Sequence, residues 1–341
     1  MVPLLFQLTY TSETRAIQGK SSPYDMIFHS DIWSCIWLHT PKLFTGSFTS
    51  DKPEKPPVPY KSGCLFTASR VVAPSPFLGR YDDVPKGLFE DFLNDARFPG
   101  RDYLKSTTLV DYCLRVSSKP LSCEPLEETA TFEVLDELTV GDGLYRGCGP
   151  QVFTCKRNND KEQILAAKMY DPLYYHFIDY DYPYIPNDVV ARAEHDFALE
   201  SAAYCQLDER LGGSLIPKFH GSWVLNVPLK RQKRPVAFIL LEYVKGVPLS
   251  ALDPDAYTQD ERLNVLALFM EADLELRFVG VVHNDIAPRN VICPGKDLLA
   301  EDFCVRIINF DVATVFHIFD IKAPCISEAL PESPVEWFWD F

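Results

Sequence analysis

The sequence predicts an α+β protein in which a mainly β-stranded part is followed by a small, mostly helical part. From about residue 126, five segments have strand character, and one helical segment lies between the third and the fourth. After residue 245, a capped helix is followed by short hairpins. The chain has 341 residues, of which 47% are hydrophobic and 24% are charged, as is typical of a globular protein. At about 150 residues per domain, this length corresponds to about two domains.

The first 125 residues differ in character from the rest. They are rich in proline, serine and aromatic residues and lack long periodic segments. Because proline fixes φ and lacks a backbone N–H, the proline-rich residues 50–63 are expected to form a linker or a surface extension. Residues 87–96 have the pattern of a short amphipathic helix. We therefore assign residues 1–125 to a partly irregular accessory region with a proline-rich linker, followed by one domain at residues 126–341.

The first part of that domain, residues 126–245, is predicted to contain a five-stranded sheet. Its strands are rich in β-branched and apolar residues and are bounded by turn residues, at 131–140, 151–156, 162–170, 216–225 and 236–244. A glycine-rich turn joins the first two strands. Asn187 or Asp188 can cap a helix that extends to about Leu207, since apolar residues recur there at helical spacing.

The second part, residues 246–341, is predicted to begin with its main helix. Thr258 and Glu261 match a capping box, which predicts a helix that extends to about Phe278, before Gly280. The apolar residues that fall on one stripe of this helix are Leu263, Leu266, Met270 and Leu274. Two apolar-flanked loops follow, at residues 281–293 and 304–316.

The charge of the chain argues against nucleic acid as a partner. The sequence has 33 Lys and Arg residues against 48 Asp and Glu residues, a formal net charge of −15. A field of this sign repels polyphosphate backbones, although a local basic pocket can still hold a nucleotide.

Cysteine usage and hydropathy indicate the compartment. The ten cysteines are irregularly spaced, with no CxxC and no cluster of zinc-finger spacing, which favours free thiols in a reducing environment. The start of the chain lacks the basic segment of a signal peptide. The longest apolar runs, residues 236–241 and 265–270, are far shorter than the ~20 residues of a membrane helix. We expect an intracellular protein, cytoplasmic or nuclear, that is not secreted and has no membrane partner.

The strongest chemical signal is the segment His283-Asn-Asp-Ile-Ala-Pro-Arg-Asn290, which has the form H-x-D-x-x-x-x-N. An aspartate in such a loop can accept a proton from a hydroxyl, and an asparagine five residues later can coordinate a cation; phosphoryl transfer needs both. The segment resembles the catalytic loop of protein kinase-like phosphotransferases, HRDxxxxN or HGDxxxxN. This resemblance implies a bilobal kinase-like fold, ATP and Mg²⁺ as cofactors, Asp285 as the catalytic base, Asn290 as a metal ligand, and His283 as a structural residue beneath the loop.

The resemblance assigns further residues in chain order. Lys168, in LAAKMY, matches the lysine that contacts the α- and β-phosphates. Glu200 is then its ion-pair partner, whereas Glu194 lies nearly opposite on the helix and is a poorer candidate. LLEYVKGVPL resembles the kinase hinge, so backbone groups from Glu242 to Val244 would contact adenine. The glycine-rich turn departs from GxGxxG, which leaves open which glycine approaches phosphate among Gly141, Gly143, Gly147 and Gly149.

The metal-binding DFG motif departs from the kinase pattern. In VRIINFDVA, Asn309 stands at the position of the DFG aspartate, Phe310 matches the phenylalanine, and Asp311 stands at the glycine. A neutral asparagine is expected to bind Mg²⁺ more weakly. Two alternatives remain open: Asp311 supplies the carboxylate, or the motif is instead the segment 302–304, Asp-Phe-Cys, which we disfavour because the strand before it is poorer.

The resemblance covers roughly residues 130–341 and is nearest to short kinase-like proteins of fungi, through the strings AAKMYDPLYY and HNDIAPRN. About 30 residues follow Asn309, with no APE motif and no room for a large peptide-binding helical lobe. The implied function is an ATP-dependent phosphotransferase that moves the γ-phosphate to a hydroxyl acceptor, in a protein or a small molecule. Two alternatives are a pseudokinase, which Asn309 favours, and a small-molecule kinase, which the missing peptide platform favours.

Overall fold

The computed structural model describes residues 56–76, 106–116, 123–139, 149–158, 160–175, 188–229, 232–295, 298, 300 and 303–319. All of them belong to one unit of the chain, Phe48–Phe341. The helix predicted at residues 87–96 lies outside the described residues. The described structure is mixed α/β, with a large antiparallel sheet and three α-helices, which confirms the general fold class predicted from the sequence.

Six strands form a closed antiparallel barrel, in the spatial order β1-β2-β3-β4-β6-β5. They are β1 (Leu65–Val72), β2 (Glu124–Thr139), β3 (Gln151–Arg157), β4 (Asp160–Tyr170), β5 (Phe219–Leu229) and β6 (Gln232–Glu242). β1 closes the barrel, because Ala68 lies opposite Ala130 of β2 on one side and opposite Leu225 of β5 on the other. These six strands therefore pair on both sides.

The prediction of a five-stranded sheet is wrong, because β1 lies in the region predicted to be accessory. Only Ala68 and Val71 of β1 are buried, and Ser69 and Arg70 between them are polar, so the strand has little apolar pattern of its own. It is held instead by backbone pairing to strands far away in the chain, which a local pattern does not reveal. The sheet consequently begins before residue 126, the boundary predicted for the domain.

The interior of the barrel is packed with aromatic side chains. Phe132, Phe153, Trp223 and Phe238 are each at most 1% exposed. The rings of Phe132 and Trp223 meet edge to face, with centroids 5.3 Å apart. Each such side chain contributes about 1.5–3 kcal/mol by burial. The barrel is therefore a well-packed support for side chains on the outer face of β4.

Two helices share a second hydrophobic core beside the barrel, α1 (Leu109–Val116) and α2 (Val189–Leu211). Asp188 is the N-cap of α2 and accepts a hydrogen bond from Ala191 N at 2.9 Å, at one of the two starts predicted. α2 ends at Leu211, one turn later than predicted, where Gly212 N–H bonds back to a carbonyl of the last turn. α1 was not predicted, and its eight residues are short for recognition by periodicity.

The second part of the domain contains one α-helix and short strands within the described residues. These elements are β7 (Val247–Pro248), α3 (Gln259–Phe278), β8 (Val281–Val282), β9 (Val291–Cys293), β10 (Arg306–Ile307) and β11 (Thr314–Val315). The strands form a small sheet in the order β10-β9-β7 and a pair β11-β8. Both loops predicted from the sequence therefore lie between short paired strands.

The buried face of α3 differs from the predicted stripe. Leu263 and Leu266 are 53% and 50% exposed, whereas Val265, Ala272 and Leu276 are buried. The buried face of α3 is therefore offset by about one residue position from the stripe predicted from the sequence. Leu274, from the predicted stripe, is also buried, and Met270 is half-buried. No helix within the described ranges combines the length and the apolar character needed to cross a membrane.

The capping box of α3 gives a first prediction. Thr258 Oγ1 accepts from Glu261 N at 3.3 Å, and Glu261 Oε2 accepts from Thr258 N at 2.8 Å. Thr258→Ala removes the side-chain acceptor at the N-cap, so we expect the free energy of unfolding to fall by about 1 kcal/mol. Thr258→Ser keeps the acceptor and should match the wild type. Urea denaturation of the three proteins measures this, and equal stability of T258A and T258S would show that the cap contributes nothing.

Candidate functional site

Lys168 lies near the end of β4, opposite Val152 of β3 and Ile239 of β6. It is only 8% exposed, and its Nζ donates to Glu200 Oε2 and, at 2.6 Å, to Asn309 Oδ1. Burial by itself lowers the pKa of Lys168, but attraction to Glu200 and Asp311 outweighs burial, and the pKa is raised above its ordinary value. Lys168 is therefore a fixed, protonated ammonium group at neutral pH.

Glu200 is the point at which three elements of the chain meet: α2, β4 and the segment after β10. This fully buried residue of α2 accepts from Lys168 Nζ, from the hydroxyl of Tyr170 at 2.6 Å, and from Phe310 N at 3.1 Å. Its two oxygens thus bind a side chain of β4 and the backbone after β10 at once. The structure brings together Lys168, Glu200 and Asn309, whose sequence separation is large, and Tyr170 is a member that the sequence reasoning missed.

The loop that contains Asp285 is fixed by His283, which is fully buried. The His283 ring accepts from Asp285 N through Nδ1 at 3.2 Å, so its Nε2 carries the proton and donates to Ile308 O at 2.9 Å. Burial lowers the pKa of His283, which keeps the ring neutral. The ring also contacts Phe310, with centroids 4.8 Å apart. His283 therefore joins the Asp285 loop to the segment that carries Asn309.

Asp285 is oriented by two neighbours in the same loop. Arg289 Nη2 donates to Asp285 Oδ1, and Asn290 Nδ2 donates to Asp285 Oδ2 at 2.9 Å and to Asp285 O at 2.7 Å. The Asp285 side chain is 32% exposed, so its carboxylate is held in place and is accessible. Ile308 N donates to Asn290 O at 2.9 Å, which is a second link between this loop and the segment before Asn309.

Two asparagines in the site have left-handed backbone conformations, Asn284 with φ 61° and Asn309 with φ 71°. Asparagine tolerates this region better than most residues, because its side chain can bond locally. Asn284 Nδ2 donates to Val312 O at 2.9 Å and to Thr314 Oγ1 at 2.8 Å, which fixes the chain just after Asp311. The sequence reasoning missed Asn284; its place between the histidine and the aspartate of the motif was the available signal.

Phe310 and Asp311 complete the segment after β10. Phe310 is fully buried, and its ring meets that of Tyr204 edge to face at 5.1 Å. Asp311 is half-buried, within the electrostatic reach of Lys168 and Glu200. In the disfavoured alternative motif, Asp302 lies outside the described residues, while Phe303 is buried and Cys304 is half-buried.

Asp311 gives a prediction for pH dependence. Burial raises its pKa to about 6; Lys168 and Arg192 oppose this rise, and Glu200 and Asp196 add to it. In the unfolded chain the pKa of an aspartate is about 4. Between these values the folded state holds a proton that the unfolded state has released. The stability contributed by Asp311 is therefore complete below pH about 4 and is lost as the pH rises to about 6.

The test compares the stability of the wild type with that of the variant Asp311→Asn, which lacks the titrating carboxyl group. We expect the free energy of unfolding of the wild type, minus that of D311N, to decrease from pH about 4 to pH about 6 and to stay constant above pH about 7. Urea denaturation of both proteins across this range measures the difference. A difference that does not change with pH would contradict the raised pKa of Asp311.

Oxygen atoms of several side chains in this part of the structure have the chemistry of magnesium ligands. In the described part of the chain, no group of three or more His, Cys, Asp or Glu side chains is arranged to hold a metal ion by itself. Asn290 uses its Nδ2 group to hold Asp285, so Oδ1 is the atom that it can offer to a cation. Asn309 Oδ1 already accepts from Lys168, which leaves Asp311 as the nearby carboxylate. Such hard oxygen donors fit Mg²⁺, which takes further ligands from water and phosphate.

The predicted nucleotide-binding backbone is described only in part. Gly141, Gly143 and Gly147 lie outside the described residues, and Gly149 has φ 153°, a value that favours glycine. Glu242 ends β6; its N–H donates to Lys218 O at 2.8 Å, and its carboxylate accepts from Lys218 N at 3.0 Å. The Glu242 N–H is therefore already bonded within the protein. Val244 follows β6 and is half-buried.

A separate cavity of about 400 Å³ is lined by residues from all six barrel strands and by none of the predicted site residues. Two of its side chains, Arg70 and Arg157, bind the same carboxylate, Glu128, at 2.7 Å and 2.5 Å. Because both arginines are paired with Glu128 and the cavity contains no predicted site residue, we assign it no role in the site.

No protein-family model and none of the curated proteins matches the chain. A solved structure that resembles part of it is the crystal structure of Rad53 1-466 in complex with AMP-PNP, with a TM-score of 0.36 and 15% sequence identity. The match covers 53% of this chain and 39% of the Rad53 chain, so this chain spans about two fifths of the length of the Rad53 chain. A likeness at this level assigns neither a family nor an activity.

Proposed function

We propose that this chain has a kinase-like bilobal fold and is an ATP-dependent phosphotransferase that moves the γ-phosphate to a hydroxyl acceptor. One observation carries the proposal: the buried ammonium group of Lys168 is held between Glu200 and Asn309, with Asn309 at 2.6 Å. A protonated lysine fixed by a buried carboxylate is a suitable point charge for phosphate groups. The side chains come from β4, from α2 and from the segment after β10.

In the proposed reaction, Asp285 accepts the proton of the acceptor hydroxyl. Its carboxylate is accessible and is oriented by Arg289 and Asn290, so it can meet an incoming hydroxyl group without first reorganising. His283 keeps the loop in place beneath it. Positioning and charge neutralisation account for most of the rate enhancement in phosphoryl transfer, and these are the tasks that the residues perform.

We propose that Mg²⁺ is held by Asn290 Oδ1 and Asp311, with Asn309 as a weaker, neutral ligand. When bound, the ion neutralises phosphate charge. Lys168 and Glu200 need no metal to take their positions, since they bind each other directly. Backbone groups from Glu242 to Val244 would contact adenine, and glycines of the segment 141–149 would contact the phosphates.

The remaining partners and the compartment are part of the same proposal. The partners are ATP and a hydroxyl-bearing protein or small molecule; the acidic chain argues against nucleic acid. The proposal includes no membrane partner and an intracellular location, cytoplasmic or nuclear. Among the described residues, Cys64, Cys155, Cys205 and Cys293 are examples of free thiols, which suits a reducing compartment.

The test of this proposal is nucleotide binding followed by transfer. We expect the wild type to bind ATP in calorimetry only weakly without Mg²⁺ and more tightly with it. We further expect transfer of radiolabel from γ-labelled ATP to an acceptor in a panel of generic peptides, sugars, amino alcohols and aminoglycosides. The class of acceptor separates a protein kinase from a small-molecule kinase. Absence of nucleotide binding and of transfer would overturn the proposal.

A pseudokinase is the second candidate, and Asn309 favours it. The residue at the metal-binding position is neutral, and its only side-chain oxygen already accepts from Lys168. On this alternative, the native chain binds nucleotide without turnover, and Asn309→Asp creates activity by supplying a carboxylate for Mg²⁺. On our proposal, the native chain turns over ATP, and N309D raises the rate at low Mg²⁺ concentration. Turnover by the wild type therefore decides between the two.

A further inference from the structure

The connection between the strand of Lys168 and the helix of Glu200 is bounded by two buried aspartates. Asp171 directly follows β4 and caps the short 3₁₀ helix Pro172–Tyr174. Asp188 is the N-cap of α2. The first aspartate sets how the chain leaves the strand, and the second sets where the chain enters the helix.

Each of these aspartates receives the hydroxyl of a buried tyrosine from the region before residue 126. Tyr60 donates to Asp171 Oδ2 at 2.9 Å, and Tyr112, on α1, donates to Asp188 Oδ1 at 2.5 Å. Asp171 also has a two-point ion pair with Arg234, in which Nη2 lies 2.5 Å from Oδ2. Within the described residues, Asp188 forms no such ion pair, so it depends on its tyrosine far more than Asp171 does.

The environment of Asp188 makes the bond from Tyr112 important. Asp188 is 8% exposed, and within the described residues its Oδ2 atom has no hydrogen-bond partner. Burial raises the pKa of Asp188, and the bonds from Ala191 N and from the Tyr112 hydroxyl act against this rise. A buried carboxylate that loses one of its donors is destabilised. The orientation of the Asp188 side chain therefore follows the position of α1.

α1 is anchored firmly enough to act on α2. Thr108 caps it, since Thr108 Oγ1 accepts from Asp111 N at 3.1 Å. Its apolar residues belong to the same hydrophobic core as the first turn of α2, and those buried are Leu109, Val110, Tyr112 and Cys113. Tyr112 itself is fully buried. A shift of α1 would thus require a shift of the start of α2.

We propose that α1 is a built-in positioning element for α2, in which Tyr112 and Asp188 hold the start of the helix so that Glu200 meets Lys168. Glu200 lies twelve residues after Asp188, about 18 Å along a rigid helix, so a change of direction at the first turn displaces the carboxylate. Tyr112 and Asp188 are positioning residues. The effect on turnover rests on the proposed function, but the effect on the ion pair does not.

The variants separate the hydroxyl bond from the helix cap. Tyr112→Phe removes only the hydroxyl, and Asp188→Ala removes both the acceptor and the cap. Asp188→Asn keeps a cap and an acceptor for Tyr112 and is the conservative rescue. We expect D188A, which also loses the helix cap, to show a larger effect than Y112F, and D188N to behave like the wild type. The double variant Y112F/D188A should be no worse than D188A, because both changes remove the same bond.

Two measurements report on the ion pair without requiring activity. The first is hydrogen exchange of the amides in the first two turns of α2, which we expect to quicken at least tenfold in Y112F. The second is the rate at which an amine-reactive reagent labels Lys168, which should rise severalfold when Glu200 no longer holds the ammonium group. If the protein turns over ATP, kcat should fall in Y112F while the KM for the acceptor stays unchanged, because Tyr112 is fully buried and is not one of the residues proposed to act on the acceptor.

Val134→Ala is the control for a general loss of stability, because Val134 is buried in the barrel interior, in a different core from α1 and α2. The two variants are compared at denaturant concentrations that give them equal global stability. Under these conditions, hydrogen exchange in the first two turns of α2 and labelling of Lys168 should both be faster in Y112F than in V134A. Equal values for the two variants, or a failure of D188N to behave like the wild type, would overturn the inference. If Y112F does not fold, Asp188→Ser replaces it, since serine caps the helix but is too short to reach Tyr112; wild-type behaviour of D188S would then overturn the inference.

If the wild type binds no nucleotide and has no turnover, the proposed function fails, but exchange and labelling still test the inference. If turnover exists and Y112F differs from V134A in neither exchange nor labelling, the inference alone fails. The two ideas can therefore be rejected separately.

Discussion

Replacing Lys168 with methionine is expected to abolish ATP turnover and to lower the free energy of unfolding by about 3–5 kcal/mol. The loss of stability follows because Glu200 is fully buried and would lose the cation with which it pairs. The loss of turnover follows because Lys168 is the buried cation proposed to contact the phosphates. Urea denaturation measures the first effect, and release of phosphate or label from ATP measures the second.

The double variant K168M/E200Q separates these two effects. A glutamine at position 200 carries no charge; its Oε1 can still accept from Phe310 N, and its Nε2 can donate to the Tyr170 hydroxyl oxygen. We therefore expect most of the stability to return, while turnover does not. If K168M is as stable as the wild type, Lys168 and Glu200 do not form the buried pair described above. If K168M keeps full turnover, Lys168 has no catalytic role.

Replacing Asp285 with asparagine is expected to lower kcat by about 10²–10⁴-fold, the usual contribution of a positioned general base. Nucleotide affinity should change little, because Asp285 is proposed to act on the acceptor. Stability should fall by less than about 1 kcal/mol, since the pair with Arg289 is solvent-exposed and asparagine keeps an acceptor for Asn290. Steady-state kinetics with the best acceptor and calorimetry with an ATP analogue provide the measurements.

Asp255→Asn is the matched control for D285N. Asp255 is an exposed aspartate in the same part of the chain, within the short 3₁₀ helix Pro254–Ala256, and is not a predicted site residue. D255N should keep the kcat of the wild type. Wild-type kcat in D285N as well would exclude Asp285 as the base, even if the chain proves to be a kinase.

The sequence allowed prediction of those elements whose signal is local. The strand of Lys168 and the helix of Glu200 stand out through apolar pattern and caps, and the capping box at Thr258 marks the start of α3 to within one residue. The Asp285 loop was found through the spacing of three polar residues. Local pattern was therefore sufficient for the residues proposed to perform the chemistry.

Elements that depend on distant partners were not predictable in the same way. β1 has few buried residues and exists because β2 and β5 pair with it, so its own sequence gives little signal. The hydroxyl bond from Tyr112 to Asp188 joins residues 76 positions apart, and no spacing rule connects them. The buried face of α3 was misassigned because both Leu263 and Val265 fit a helical stripe, and only the surrounding chain decides which is covered.

The most direct test of the central claim uses an acyl-phosphate derivative of ATP, which acylates an amine that lies beside its terminal phosphate. Mass spectrometry of the digested protein then identifies the modified lysine. If the cluster of Lys168, Glu200 and Asn309 is a phosphate-binding site, the label will be found on Lys168, and excess Mg²⁺–ATP will prevent it. Labelling that is confined to exposed lysines, or that ATP does not reduce at Lys168, would contradict a nucleotide site at this position.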